Sequence, residues 1–248
     1  MSVFYIALFL LNAVPGPGVA RASQDNPDDL YRDRTTLTSA ARAVAIWSAR
    51  LGADPADFES AWKLARAQYW LGTNGLPERD RKGALDGGLA AARLAVAIKP
   101  ARPEGHLWVA ANMGALAESF GLRQGIRYRG AIRQSLETVL QIDPAFQQGS
   151  ADRGLGRWYY KVPGLFGGDN RKSEAHLRQA LAYNQHSVIT HLFLAETLLD
   201  LGKKPTRGRN SKRRSRRPTT RSGRPRIGCF ASRRGACSPC FARSYAFG

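Results

Sequence analysis

The 248-residue sequence has no cysteine before residue 229, no acidic residue after residue 202 and no apolar run long enough to cross a membrane. Each absence excludes something. Without thiols, the body of the chain has neither a disulfide framework nor a cysteine nucleophile, and cysteine usage says nothing about its redox compartment. The motifs of common enzyme classes are missing too. There is no G-x-S-x-G, no P-loop, no Rossmann glycine fingerprint and no Cys/His pair in the body. The four histidines are His106, His176, His186 and His191, and the last two stand five apart rather than at the i, i+4 spacing of a zinc-binding helix. The sequence therefore predicts no catalytic residues, no metal site and no cofactor.

The longest apolar run is Val3 to Val14, about the length of a signal-peptide core and too short for a membrane span. Pro15-Gly-Pro-Gly18 and then Ala20-Arg21-Ala22 follow, and the last three form the A-x-A pattern that a signal peptidase accepts. No Lys or Arg precedes the run. Residues 1–22 are read as a cleavable signal peptide, which predicts a periplasmic protein with no transmembrane segment in its mature form. Residues 23–34, with Asp25, Asp28 and Asp29 around Asn26 and Pro27, are read as a flexible leader.

The formal charge of +19 invites a nucleic-acid reading, but its distribution argues otherwise. Lys203 to Gly248 holds fifteen of the 38 Lys and Arg residues, so the other 202 residues carry 23 basic side chains against 19 acidic. Arg207 to Arg217 has no apolar period and cannot build a core. Residues 203–248 are read as a basic disordered tail, with the composition that a frameshift near residue 205 of a GC-rich gene produces. The Cys237-Ser-Pro-Cys240 spacing has only Cys229 near it, too few ligands for zinc.

What the body does contain is helical periodicity. Between Asp25 and Leu201 apolar residues recur at spacings of three and four, with Ala, Leu, Trp and Tyr dominant. Four predicted helix ends resemble one another: Leu51-Gly-Ala-Asp-Pro55, Val96-Ala-Ile-Lys-Pro100, Leu140-Gln-Ile-Asp-Pro144 and Leu181-Ala-Tyr-Asn-Gln185. Proline stops a helix because it lacks an N–H and fixes φ, so these ends mark repeat boundaries. Nine and ten residues past a boundary stand a large and a small residue: Leu64 and Ala65, Val109 and Ala110, Leu194 and Ala195. After Pro144 the same count reaches Arg153 and Gly154, a poorer fit.

Boundary spacings of 45, 44 and 41 exceed the 34-residue tetratricopeptide period, and the excess is assigned to insertions between the two helices of a pair, as at Thr73 to Pro77. The predicted fold is all-α: a tetratricopeptide-like right-handed superhelix over residues 35–202, made of three stacked antiparallel helix pairs with elongated intra-pair loops. One helix near 35–51 and another near 187–201 flank the pairs. Such stacks share a continuous core and offer a concave face to a protein partner.

Gly156-Arg-Trp-Tyr-Tyr-Lys-Val-Pro-Gly-Leu-Phe-Gly-Gly-Asp169, with Ala175-His-Leu-Arg-Gln-Ala-Leu181 after it, resembles the T-component proteins associated with TRAP transporters. Leu64-Ala-Arg-Ala-Gln-Tyr-Trp-Leu-Gly72 and Pro103-Glu-Gly-His-Leu-Trp108 add to the resemblance, which covers roughly residues 35–202. It implies a non-enzymatic periplasmic scaffold that associates with a solute-binding protein and passes it a hydrophobic small ligand. A homo-oligomer is compatible with that picture. Some members of that family are lipoproteins, but this sequence has no cysteine near the predicted cleavage site to carry a lipid. The alternative is a cytosolic tetratricopeptide adaptor whose arginine-rich tail binds nucleic acid, a function at odds with export.

Within the segment from 158 to 168, Trp158, Tyr159, Tyr160, Pro163 and Phe166 are the candidate partner- or ligand-binding residues. Pro and Gly would hold a defined turn over a gap that aromatic rings line. The same rings would serve equally well as filling for an elongated hairpin.

Overall fold

The computed structural model describes residues 25–202. The apolar run at 3–14, the cleavage site at Ala22 and the basic tail from Lys203 lie outside the described residues. Among the described residues nine α-helices follow one another: α1 (Pro27–Arg32), α2 (Leu37–Ala53), α3 (Phe58–Asn74), α4 (Glu78–Ile98), α5 (Pro103–Ser119), α6 (Leu122–Ile142), α7 (Phe146–Lys161), α8 (Asn170–Tyr183) and α9 (Val188–Asp200). The chain is an all-α stack of helix pairs, α3 with α4, α5 with α6 and α7 with α8, and each pair packs on the next. The first helices also touch in sequence, α3 with α5, α5 with α7 and α7 with α9.

The repeat boundaries have a shared local chemistry. The backbone N–H of Asp54, Lys99, Asp143 and Asn184 each closes the preceding helix by donating to the carbonyl four residues back, at 2.8 to 3.2 Å. At three of these four positions the side chain then turns the chain. Asp54 accepts from the Ala56 N–H at 2.9 Å, Asp143 from Ala145 at 2.9 Å and Asn184 from His186 at 3.0 Å. These are Asx turns, which a lysine cannot make. After Lys99 the ring of His106 meets the Pro100 carbonyl at 2.8 Å, and His191 meets the Gln185 carbonyl in the same way at 2.8 Å. Two of the four histidines thus pin inter-repeat turns.

The nine-and-ten register describes packing in the first two pairs. Ala65 and Ala110 are fully buried, with Leu64 and Val109 nearly so. Small residues let the paired helices close. A Cβ on Gly72 would stand 2.6 Å from Leu85 Cγ, and one on Gly156 2.5 Å from Leu177 Cγ. The count fails after Pro144 for a visible reason. Gln147, Gln148 and Gly149 take positive φ values of 46°, 57° and 72°, which breaks the helical phase at the start of α7. Gly149 is needed there for space too, since a Cβ would lie 2.7 Å from Tyr183 Cδ2.

Two expectations are corrected. The excess repeat length does not lie in loops in the first two pairs. Asn74 is still helical, only residues 75–77 and 120–121 connect the helices, and α4 and α6 each run to 21 residues. Thr73 and Asn74 keep α3 going by donating to the Tyr69 carbonyl at 2.8 Å and the Trp70 carbonyl at 3.1 Å. Only the third pair has a long connection, at residues 162–169.

Nor is the stretch from Asp25 a flexible leader. Asn26 caps α1 by accepting from the Asp28 N–H, Pro27 occupies the first turn, and Asp28 pairs with Lys63 at 2.9 Å. Tyr31 packs 6.0 Å from the Trp47 ring, and the Arg66 guanidinium lies 4.1 Å from the centre of Tyr31. Burial raises the Tyr31 pKa against the opposing pull of Arg66 and Arg34.

Candidate functional site

The long connection after α7 is built as a closed turn. Pro163, with φ −58°, leads into a single 3-10 turn over Gly164–Phe166, and Gly167 follows at φ +102°, where an L side chain is strained. Gly168 returns to the Pro163 carbonyl at 3.2 Å, and the Asp169 N–H donates to the Tyr159 carbonyl at 2.9 Å. Gly168 admits no side chain, because a Cβ would sit 1.6 Å from the Val162 oxygen. Asp169 then caps α8 by accepting from the Arg171 and Lys172 N–H groups at 2.8 and 3.2 Å.

This turn leans over α6 and borders an open-sided cavity of about 290 Å3 lined by Arg129, Gly130, Arg133, Gln134, Glu137, Trp158 and Phe166. Trp158 forms its floor. The ring is buried, and its indole N–H donates to the Arg129 carbonyl at 2.8 Å. Arg129 holds its guanidinium 5.4 Å from the centre of Phe166, and Arg133 lies 5.8 Å from Trp158. Both are cation–π distances. The two arginines differ in charge pairing. Arg133 donates to Glu137 at 2.8 Å, and that carboxylate holds its pKa above the usual value. Arg129 donates to the Ile126 carbonyl at 2.7 Å and has no carboxylate partner among the described residues.

The five residues singled out in the sequence are separated by the structure. Trp158 and Phe166 line the cavity, whereas Tyr159 lies behind it. Tyr159 packs edge-on to Trp158 at 4.9 Å and stacks on His176 at 5.5 Å, and His176 Nδ1 in turn meets the buried Asp152 carboxylate at 2.8 Å. Tyr160 faces the other way, toward α9, where burial and then its hydrogen bond with Asp200 raise its pKa. Pro163 sets the turn. Leu165 at its tip is 89% exposed.

The cationic half of the cavity is absent from the sequence reading. Arg129, Arg133 and Glu137 recur at i, i+4 and i+8 on α6, along the flank of the apolar stripe of Ile132, Leu136 and Val139. That spacing was the available signal. Arg157 is paired across helices: it joins Glu118 of α5 at 3.4 Å and Glu196 of α9, tying three first helices together. No cluster that could hold a metal ion occurs among the described residues, and no described helix is long and apolar enough to cross a membrane.

Residues 25–166 match the family described as regulator of microtubule dynamics protein 1-3, more than half of the chain. No curated protein sequence matches the chain. Among solved structures, a thermophilic TPR protein of Thermus thermophilus superposes with a TM-score of 0.53 at 24% identity, covering 72% of this chain and 84% of that one. MamA superposes with a TM-score of 0.51 at 13% identity, covering 72% of this chain and 86% of its own. These likenesses establish the tetratricopeptide-like fold. The family match overturns the resemblance to the T-component proteins of TRAP transporters, and with it the association with a solute-binding protein. The nucleic-acid adaptor is set aside on the same finding, and the tail it relied on lies outside the described residues.

Proposed function

The chain belongs to the regulator of microtubule dynamics protein 1-3 family, and from that premise we propose that it is a non-enzymatic scaffold that binds a protein partner through an acidic segment. The observation that carries this reading is Arg129, a guanidinium with no carboxylate partner among the described residues, beside a cavity that Trp158 and Phe166 line. A carboxylate entering there gains a charge-assisted hydrogen bond worth roughly 1.5–3 kcal/mol. Its apolar stem meets Trp158 and Phe166, and exposed Leu165 offers contact to a neighbouring apolar residue. At about 290 Å3 the cavity suits one or two peptide side chains, being at the small end of small-molecule sites.

Fluorescence anisotropy with a labelled peptide of alternating Glu and Leu tests this reading against a Lys-Leu peptide of equal length. The acidic peptide binds, the basic one does not, and Arg129→Ala weakens binding about tenfold with helical circular dichroism unchanged. Equal binding of both peptides overturns it. The family description names microtubule dynamics, so co-sedimentation with microtubules is the first trial of a whole partner. Export is part of the proposal on the strength of the Val3–Val14 run and the Ala20-Arg21-Ala22 pattern. A chain exported in that way would not meet a cytoplasmic polymer, so sequencing the mature N-terminus separates the two kinds of partner.

A further inference from the structure

The short helix α1 meets α3 through one acid and one ring. The Lys63 ammonium donates to Asp28 at 2.9 Å, and the other Asp28 oxygen lies 3.7 Å from the Arg66 guanidinium. Three residues on, Tyr31 sets its ring 4.1 Å from the same guanidinium. Residues at i and i+3 share a helix face, so one face of α1 presents both groups. The body of the chain supplies two further rings, with Trp62 at 4.9 Å and Trp47 at 6.0 Å from Arg66.

The fit is incomplete at its centre. At 3.7 Å Asp28 attracts Arg66 but makes no hydrogen bond with it, and the Arg66 Nε is buried without a hydrogen-bond partner. Burial lowers the Arg66 pKa, against the pull of Tyr31 and Asp28, which raise it. A carboxylate that met the guanidinium with two parallel hydrogen bonds would satisfy the group that α1 leaves unpaired. Against such a competitor α1 has little structure of its own. Its six residues are far below the length at which a helix stands alone, and its charges are part-exposed. Its apolar anchors are buried Pro27 and half-buried Leu30 and Tyr31.

We propose that the Lys63–Arg66 surface of α3 is a docking site for a partner segment with a carboxylate three residues before an aromatic ring, and that α1 is its resident competitor. A partner carrying that pair displaces α1. The site lies on α3, apart from the cavity beside Arg129 on α6, and does not depend on the reading given for that cavity.

A fluorescent peptide with the sequence of residues 25–34, titrated against the full chain, tests the proposal. Tethering gives α1 an effective concentration in roughly the millimolar range, so wild type binds the peptide weakly. Asp28→Ala with Tyr31→Ala in the protein vacates the site and raises the affinity at least about tenfold. Adding Arg66→Gln to that variant lowers it again by about tenfold, and peptides with Ala in place of Asp28 or Tyr31 bind as weakly. These differences persist in an Arg129→Ala background, which separates the site from the cavity on α6. Hydrogen exchange on the wild-type chain gives a readout that needs no substitution. Excess peptide speeds exchange of the Leu30, Tyr31 and Arg32 amides several-fold and leaves those of α5 unchanged. Equal affinity for wild type and the opened variant, binding that survives Arg66→Gln, or α1 amides unmoved by the peptide overturns the proposal. So does a wild-type dimer that Asp28→Ala with Tyr31→Ala abolishes, which would make α1 of a second copy the occupant.

Discussion

The indole N–H of Trp158 donates to the main-chain carbonyl of Arg129 at 2.8 Å, joining residues 29 apart in sequence and fixing α7 to α6. Trp158→Phe removes this bond, but the carbonyl keeps the helical N–H of Arg133 as a donor, so the loss is about 0.5–1.5 kcal/mol. Trp158→Ala adds a cavity and costs roughly 3–5 kcal/mol. Urea unfolding of both variants checks the order, and a smaller loss for Ala than for Phe would contradict it.

The turn over the cavity depends on two glycines for two different reasons. Gly168→Ala drives a methyl group into the Val162 oxygen, and Gly167→Ala forces a left-handed φ of +102° on an L residue. Each lowers stability by about 1 kcal/mol or more, Gly168→Ala the further of the two. Gly164→Ala has open space around it and is expected to be neutral within about 0.5 kcal/mol. Thermal melts of the three variants give the comparison.

Glu137 competes with any incoming acid for Arg133. Glu137→Gln frees that guanidinium, so the affinity for the Glu-Leu peptide rises several-fold and its salt dependence steepens. The same titration on Arg129→Ala shows the opposite change. An unaltered affinity in Glu137→Gln would mean that the acid does not reach Arg133.

Asp57 supplies a pH signature at the start of α3. Burial pushes its pKa up, but the Ser60 hydroxyl, the Ser60 and Glu59 N–H groups and Arg50 outweigh that and hold it below the usual value. A carboxyl with a depressed folded pKa stabilises the protein above its unfolded pKa, and the benefit is lost as pH falls through the folded one. Asp57→Ala therefore costs about 1 kcal/mol at neutral pH, the worth of an N-cap, and progressively less below the ordinary carboxylate range. Urea midpoints of wild type and variant at pH 7 and near pH 2 measure the convergence.

Much of the fold was legible in the sequence because its signals are local. Proline and Asx residues at Asp54-Pro55 and Asp143-Pro144 stop helices by their own covalent geometry, and the small-large spacing at Leu64-Ala65 and Val109-Ala110 reports a packed face directly. Less legible was the phase break at Gln147 and Gln148. A positive φ at glutamine has no sequence signature, and only its neighbour Gly149 hinted at it.

The sequence by itself determined that the body is a stack of helix pairs and where each repeat turns, since periodicity and helix-ending residues act over a few positions. It also marked Trp158 and Phe166, though not that Tyr159 and Tyr160 would turn away from them. Only the tertiary structure decided which distant charges meet them. Arg129 and Arg133 reach the cavity because α7 packs on α6 and the 162–169 turn folds back over both, and no spacing along the chain encodes that approach.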